Sequence, residues 1–306
     1  MGSRAGEGNS VLRSFPAHSS PPPLIGPTPA PLLHVMTLNV RRQMPRFWFP
    51  AADRWARRRP LLQRLLAAEQ PSLLALQEVL PGPSREIRNL LGNGYAHVGT
   101  GRSTGGRGER CELHYDRRRL RLLDSRYWWL SAQPERPGSR SFGNQLPRFV
   151  VQCQFNDLET GLRFHALVTH LDPFSAPSRI ASAQLLRRVV AGLCGPVIMM
   201  GDFNATAGSP AHRELVDNLV LSDAMDVSTR RVGADCSTFS RYRSPTADGP
   251  RLDWILVSPD LEVESAGVNA LRLGGAAASD HEPVQAVLNL GPNLSAKPEG
   301  GQSSKR

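Results

Sequence analysis

Asp202 and Asn204 stand two positions apart where an apolar run, Pro196-Val197-Ile198-Met199-Met200, meets Gly201. A carboxylate and an amide oxygen at the end of a buried strand suit a hard cation, or a water beside one. If the backbone stays extended past Gly201, both side chains share a face and Phe203 points back. Alone, the pair is also an ordinary turn. Its weight comes from five further places. Thr37-Leu38-Asn39 and Leu76-Gln77-Glu78 each close an apolar run, as does Thr169-His170-Leu171-Asp172. Ser279-Asp280-His281 precedes the last apolar run, and Arg251-Leu252-Asp253-Trp254-Ile255 sets an acid among apolar neighbours. A buried carboxylate is costly unless paired, so Asp253 needs a histidine, Arg251 or loop amides. Oxygen donors without cysteines select Mg²⁺, Mn²⁺ or Ca²⁺ over zinc. A cation facing a phosphate neutralises the charge that develops in phosphoryl transfer. His and Asp in contact give a general base or a charged clamp.

These side chains need strands to carry them. Residues 32–39 are largely apolar on both alternating faces and read as a central strand that ends at Asn39. A helix is predicted over 60–69, with Pro60 in its first turn, then a strand over 72–76, a helix over 84–91 and a strand over 95–99. Residues 99–108, rich in Gly, Arg and Ser, read as a loop. Strands follow at 111–115, 119–123, 148–155 and 162–169, the last two joined by a hairpin turn at 157–161. A run of strands without long helices implies antiparallel pairing. A helix over 178–191, the strand at 196–200, a helix near 210–219 and strands at 252–257 and 284–290 complete the chain. This mixture predicts sheets packed together with helices outside.

The 306 residues accommodate one large domain, and residues 32–290 are its economical extent. Residues 1–31, rich in Ser, Pro and Gly, and residues 291–306 read as disordered tails. The prolines of the leader break its only apolar stretch, which argues against a secretory signal and for a cytoplasmic protein. No run approaches the roughly 18 apolar residues of a membrane span. The formal net charge is +10, carried almost wholly by arginine, a mild bias toward an anionic partner. Arg41, Arg42, Arg46 and Arg57-Arg58-Arg59 offer a path for a nucleic-acid backbone. Trp48, or Trp128-Trp129, offers a stacking or lipid contact. A solvated basic loop and ordinary core aromatics explain the same residues equally well. Cys111, Cys153, Cys194 and Cys236 are too scattered for a zinc knuckle or a dense disulfide scaffold. Free thiols are expected, and one disulfide is left open.

The set of motifs, in this order and spanning about 35–290, resembles the endonuclease/exonuclease/phosphatase superfamily. That group includes DNase I-like nucleases, abasic-site endonucleases, neutral sphingomyelinases and inositol-polyphosphate 5-phosphatases. The resemblance implies a four-layer α/β sandwich, two packed mixed sheets flanked by helices, and a metal-dependent phosphoric ester hydrolase. It implies Glu78 as principal metal ligand with Asn39 beside it, and Asp280 completing a Mg²⁺ site. Asp202 is implied to manage the attacking water and Asn204 to hold a phosphate oxygen. His281, held by Asp253, is implied to face the phosphate, and His170 to assist the leaving oxygen. Val79-Leu80 after Glu78, and His170 itself, depart from the abasic-site pattern. The segment from Gly108-Glu109 to Pro147-Arg148-Phe149 resembles a bacterial, actinobacterial-type subgroup of general phosphoesterases. It implies Glu109 and Arg148 near the cleft; His114 lies in the same segment, where a surface or packed role competes with a place at the cleft. The expectation is a monomeric phosphodiester hydrolase, a nuclease or general phosphodiesterase. A sphingomyelinase-like or small-molecule phosphate hydrolase, and a non-catalytic phosphate-binding module, are the alternatives.

Overall fold

The computed structural model describes residues 14–16, 20–44, 50–217 and 220–291. In chain order its elements are β1 (Ser14–Phe15), β2 (Leu32–Asn39), α1 (Trp55–Glu69), β3 (Leu73–Val79), α2 (Pro81–Leu91), β4 (Tyr95–Ser103) and β5 (Arg107–Asp116). Next come β6 (Leu120–Trp129), β7 (Phe149–Asp157), β8 (Arg163–His170), α3 (Ala176–Ala191), β9 (Val197–Asp202), α4 (Pro210–Val216), β10 (Ser222–Asp223) and α5 (Ala224–Val227). The last are β11 (Arg230–Gly233), β12 (Asp253–Val257), β13 (Glu262–Val268), β14 (Arg272–Leu273) and β15 (Val284–Asn289).

Side chains of a strand alternate between faces, so a strand apolar at every position must be covered twice. Strand β2 shows the consequence. Leu33 and Val35 enter a core shared with Val168 and Met200 of the opposite sheet. Met36 and Leu38 face the other way, onto Leu62 and Leu65 of α1 and Ile87 of α2. The second sheet repeats the logic: Leu167, Met199 and Trp254 point outward onto Leu186 of α3 and Leu215 of α4. One sheet has seven strands, in the order β11-β13-β15-β2-β3-β5-β4, and the other six, in the order β10-β12-β9-β8-β7-β6. Helices, sheet, sheet, helices make the four-layer sandwich. Each fully buried Leu, Met or Phe contributes about 1.5–3 kcal/mol.

Several local expectations are corrected. Helix α1 starts at Trp55, so Pro60 lies inside it and not in its first turn. An interior proline costs a helix about 3 kcal/mol. Burial of Trp55, and of Arg58 with its bonds to carbonyls of Val40, Arg41, Arg42 and Asp53, offsets that cost. Helix α2 starts at Pro81, where a proline lacks no bond that the first turn would make. Residues 99–108 are the tip and arms of the β4–β5 hairpin rather than loop alone. Strands β11 and β13 carry no strong apolar signal, and the sequence pattern does not predict them. Residues 21–31, read as tail from composition, pack on the fold. Leu24, Ile25 and Gly26 donate their backbone N–H groups to the buried Glu69 carboxylate. The rest of the leader up to residue 13 and the terminus beyond 291 lie outside the described residues. All four cysteines are free. Among the described residues no helix is long and apolar enough to cross a membrane.

Candidate active site

Strand direction gathers the polar residues onto one rim. β2 and β3 run parallel with Asn39 opposite Gln77, so Asn39 and Glu78 finish together. β8 and β9 run parallel with His170 opposite Asp202, and they finish together in the facing sheet. Their antiparallel neighbours begin where these strands end. Asp253 opens β12 opposite Asp202, and Ser279-Asp280-His281 leads into β15, whose Val284 faces Thr37. Arg148 precedes β7, whose Val150 faces Thr169, and Glu109 lies one residue before Arg110, which faces Val79.

Backbone at two of these ends leaves the regular strand. Register shifts between Leu76 and Val79, and Glu78 takes a left-handed φ of 59°. A non-glycine residue there costs about 1–2 kcal/mol, a strain that recurs at functional sites. Asn204 is also left-handed, at φ 49°. The chain therefore turns after Phe203 instead of staying extended, and the Asn204 N–H donates to Asp202 Oδ1 at 2.9 Å. Phe203 points back, as expected, and stacks on Trp254 at 4.4 Å. Gly201 is demanded by close approach: a Cβ there would sit 2.1 Å from the Thr169 carbonyl oxygen.

Asn39 links the two sheets. Its Nδ2 donates to Glu78 Oε1 at 3.1 Å and to Asp202 Oδ2 at 2.9 Å. Its Oδ1 accepts from the Arg41 N–H at 2.8 Å, so the amide stands as a donor to the acids. Arg42 N–H donates to Glu78 Oε2 at 2.9 Å. Burial opposes the charge on Glu78, yet this N–H, the Asn39 amide and the nearby cations hold its carboxyl below the usual range. Asp280 lies at the same rim, 3.6 Å from Arg41 Nε. Ser279 Oγ donates to the Asn39 carbonyl at 2.6 Å and fixes that loop against β2.

The two histidines occupy different electrostatic settings. His281 Nδ1 lies 2.8 Å from Asp253 Oδ2, and its Nε2 lies 3.8 Å from Asp202 Oδ2. Burial works against its charge, but Asp253 and Asp202 push its pKa well above the ordinary value. His170 Nε2 lies 3.5 Å from Asp202 Oδ2. Burial, with Arg148 and Arg102 beside it, drives its pKa well below the ordinary value, so this ring is neutral. Asp202 is pushed up to about 7 by burial and by the charge of Asp253. Arg251, one candidate partner for Asp253, pairs instead with Asp223 at 2.7 Å.

A divalent cation fits this rim. Glu78 and Asp280 feel each other's charge, and burial with that repulsion raises the Asp280 carboxyl. Two carboxylates at one rim, one of them raised despite Arg41 and His281 beside it, offer the oxygen donors that a hard divalent cation takes. Ligand atoms of Asp202, Asp253 and His281 also lie within 4.8 Å of one another. In that trio the Asp253–His281 bond already occupies the facing donor atoms, which reads as an orienting pair rather than a cage.

Of the implied substrate contacts, Arg148 and Glu109 both border a small cavity shared with Glu78 and His170. Glu109 is a bridge, bonded to Arg102 at 2.6 Å and to Arg42 at 3.1 Å. His114 is packed, not exposed, and bonds the buried Glu112 at 3.0 Å. The basic run is largely committed. Arg58 is buried on backbone carbonyls, and Arg41 bonds Asp53 at 3.0 Å, so neither is left to track a nucleic-acid backbone. Arg57 and Arg59 are exposed, Arg59 pairing with Glu86. Trp129 is buried and Trp128 half-buried on Gln152, while Arg46 and Trp48 lie outside the described residues. Arg102, Asp53 and Tyr242 support the site unforeseen. They lie in a Gly-rich hairpin, a single 3-10 turn (Ala51–Asp53) and an irregular loop, where no periodicity points to them.

The chain matches the model of the Endonuclease/Exonuclease/phosphatase family over residues 36–281. No curated protein matched it by sequence. Similar solved structures include an endonuclease/exonuclease/phosphatase from Bacteroides vulgatus, at 29% identity and TM-score 0.77, covering 84% of this chain and 98% of that one. A mannosyl-6-phosphatase from Bacteroides thetaiotaomicron is similar at 25% identity and TM-score 0.75, covering 84% and 99%. At the level of fold alone, D. rerio TDP2 complexed with single strand DNA product is similar at 16% identity and TM-score 0.62, covering 85% and 99%.

Proposed function

This chain belongs to the endonuclease/exonuclease/phosphatase family, and from that footing we propose that it hydrolyses a phosphate ester by direct attack of water, assisted by a divalent cation. The observation that carries the reading is Asp202. It is 1% exposed, bonded by Asn39 from one sheet and by the Asn204 N–H, with one histidine on each side. A carboxylate with raised proton affinity is matched to removing a proton from water near neutral pH. The water oxygen forms a bond to phosphorus, its proton goes to Asp202, and the bond to the ester oxygen breaks. The charged His281, oriented by Asp253, donates to a non-bridging oxygen. The neutral His170 would hydrogen-bond the leaving oxygen. Asn204 commits one amide hydrogen to the Leu171 carbonyl at 3.0 Å, which orients the other for a phosphate oxygen. Glu78 and Asp280 would hold Mg²⁺ or Mn²⁺, which supplies charge neutralisation to the phosphoryl group.

Covalent catalysis is disfavoured by the chemistry of the nearest thiol. Cys111 borders the cleft, but burial pushes its thiol up to about 12, far from a reactive thiolate. The test is turnover of p-nitrophenyl phosphate, bis-p-nitrophenyl phosphate, hexose phosphates and plasmid DNA with Mg²⁺ or Mn²⁺, with and without EDTA. Sugar phosphates are included because of the mannosyl-6-phosphatase neighbour. The expected result is turnover abolished by EDTA, with Glu78→Gln raising the metal concentration required. Turnover indifferent to EDTA would sink the reading. Phosphate binding without turnover of any ester would favour the non-catalytic module.

A further inference from the structure

Five arginines are buried among the described residues: Arg58, Arg102, Arg119, Arg148 and Arg272. Four have hydrogen-bonding or closely paired acceptors. Arg58 holds backbone carbonyls, Arg102 pairs with Glu109 at 2.6 Å, Arg119 with Asp157 at 2.8 Å, and Arg272 with Glu282 at 2.5 Å. Arg148 is the exception. It is 4% exposed, its Nε is buried without a hydrogen bond, and its guanidinium has no other acceptor among the described residues. The nearest acid, Asp172, keeps its Oδ2 3.7 Å away and gives its Oδ1 to the Phe174 and Ser175 N–H groups. A buried cation without hydrogen bonds is costly. A guanidinium fork is shaped for two oxygens of a phosphate. Arg148 borders the cavity that also touches Glu78 and His170, so its missing acceptor lies on the candidate active site.

We propose that Arg148 is a phosphate clamp that fits this site to phosphomonoesters in preference to diesters. The inference rests on the phosphoesterase reading and narrows the diester expectation drawn from sequence. A monoester presents three non-bridging oxygens and a second negative charge. One oxygen goes to the cation side at Glu78, one to His281 and Asn204, and the third completes Arg148. A diester puts an alkoxy group in place of the third oxygen. That group carries no charge, and it leaves the buried Arg148 Nε without a hydrogen bond, with only Asp172 at 3.7 Å, a penalty that discriminates between substrates. Arg148 adds no chemical step.

Two measurements on the full chain with Mg²⁺ test it. The first is equilibrium binding of orthophosphate and dimethyl phosphate by calorimetry. Arg148→Met is expected to weaken orthophosphate by at least about tenfold, the size of one charge-assisted hydrogen bond, and dimethyl phosphate by less. Arg148→Lys keeps the charge without the fork and is expected to recover part of the loss, which also controls for folding. The second is kcat/KM for p-nitrophenyl phosphate over that for bis-p-nitrophenyl phosphate. The wild-type ratio is expected to favour the monoester and to fall at least about tenfold in Arg148→Met. An unchanged orthophosphate affinity, or equal losses on both esters, overturns the clamp. A wild type that turns over neither ester, but binds orthophosphate through Arg148, overturns the hydrolase reading and leaves the clamp standing.

Discussion

Replacing Asp253 by Asn removes one charge from the pair that orients His281. Asp253 is 0% exposed, and its Oδ2 lies 2.8 Å from His281 Nδ1. An asparagine carbonyl still accepts from that nitrogen, so ring orientation survives and the charge term alone is lost. Buried hydrogen bonds to charged groups are worth about 1.5–3 kcal/mol. A neutral bond is worth about 1–1.5 kcal/mol less, and losing that difference from the transition state lowers turnover by about 5- to 13-fold. His281 has its pKa raised by Asp253 and Asp202 against burial, so the active imidazolium persists as pH rises. Without Asp253 the folded pKa falls, and activity is expected to disappear at lower pH on the alkaline side than in wild type. The assay is kcat against pH from about 6 to 9 for Asp253→Asn, His281→Ala and the double variant, with metal affinity measured separately. Metal affinity should change little, since neither residue is the proposed ligand. The double variant should lose much less than the sum of the singles. Additive losses, or an Asp253→Asn profile matching wild type, would refute the pair and leave Asp253 a structural acid.

Two stability predictions follow from the same geometry. Glu112 is fully buried and bonds Ser84 at 2.8 Å, Arg110 at 2.8 Å and His114 at 3.0 Å; against the cost of burial these partners lower its pKa to about 2. A depressed carboxyl stabilises the fold above its unfolded pKa and loses that contribution as pH falls, here between about 4.5 and 2. The contribution is about 3 kcal/mol, so urea midpoints should drop through that window, and Glu112→Gln should flatten the drop; an unaltered acid limb in the variant would count against it. Gly201→Ala puts a methyl 2.1 Å from the Thr169 carbonyl oxygen, in a strand pair that cannot spread without moving Asp202. It should cost at least about 3 kcal/mol, the upper range of core overpacking, and a midpoint shift worth under about 1 kcal/mol would show that the strands yield.

The sequence determined the strands that carry the site and the residue types at their ends. Largely apolar runs such as 32–38, and the unbroken run 197–200, need cover on both faces, so they read as central strands without any tertiary information. Polar residues closing such runs stand out because nothing in the core would keep them there. Glu262–Val268 went unread because its Glu, Ser and Gly residues give no apolar run; its place between β11 and β15 makes it a strand. The left-handed turns at Glu78 and Asn204 were likewise unreadable, since neither residue type demands them. Only tertiary structure decided that the ends meet. Asn39 and Asp202 lie 163 positions apart, and their 2.9 Å bond exists because parallel pairs in two sheets finish at one rim. Direction and register do this, and a local apolar pattern encodes neither. The same holds for charge. Asp202, Asp253 and Asp280 are one residue type, yet burial and neighbours brought from elsewhere in the chain set Asp253 on His281 at 2.8 Å, Asp202 beside two histidines with a raised pKa, and Asp280 beside Arg41.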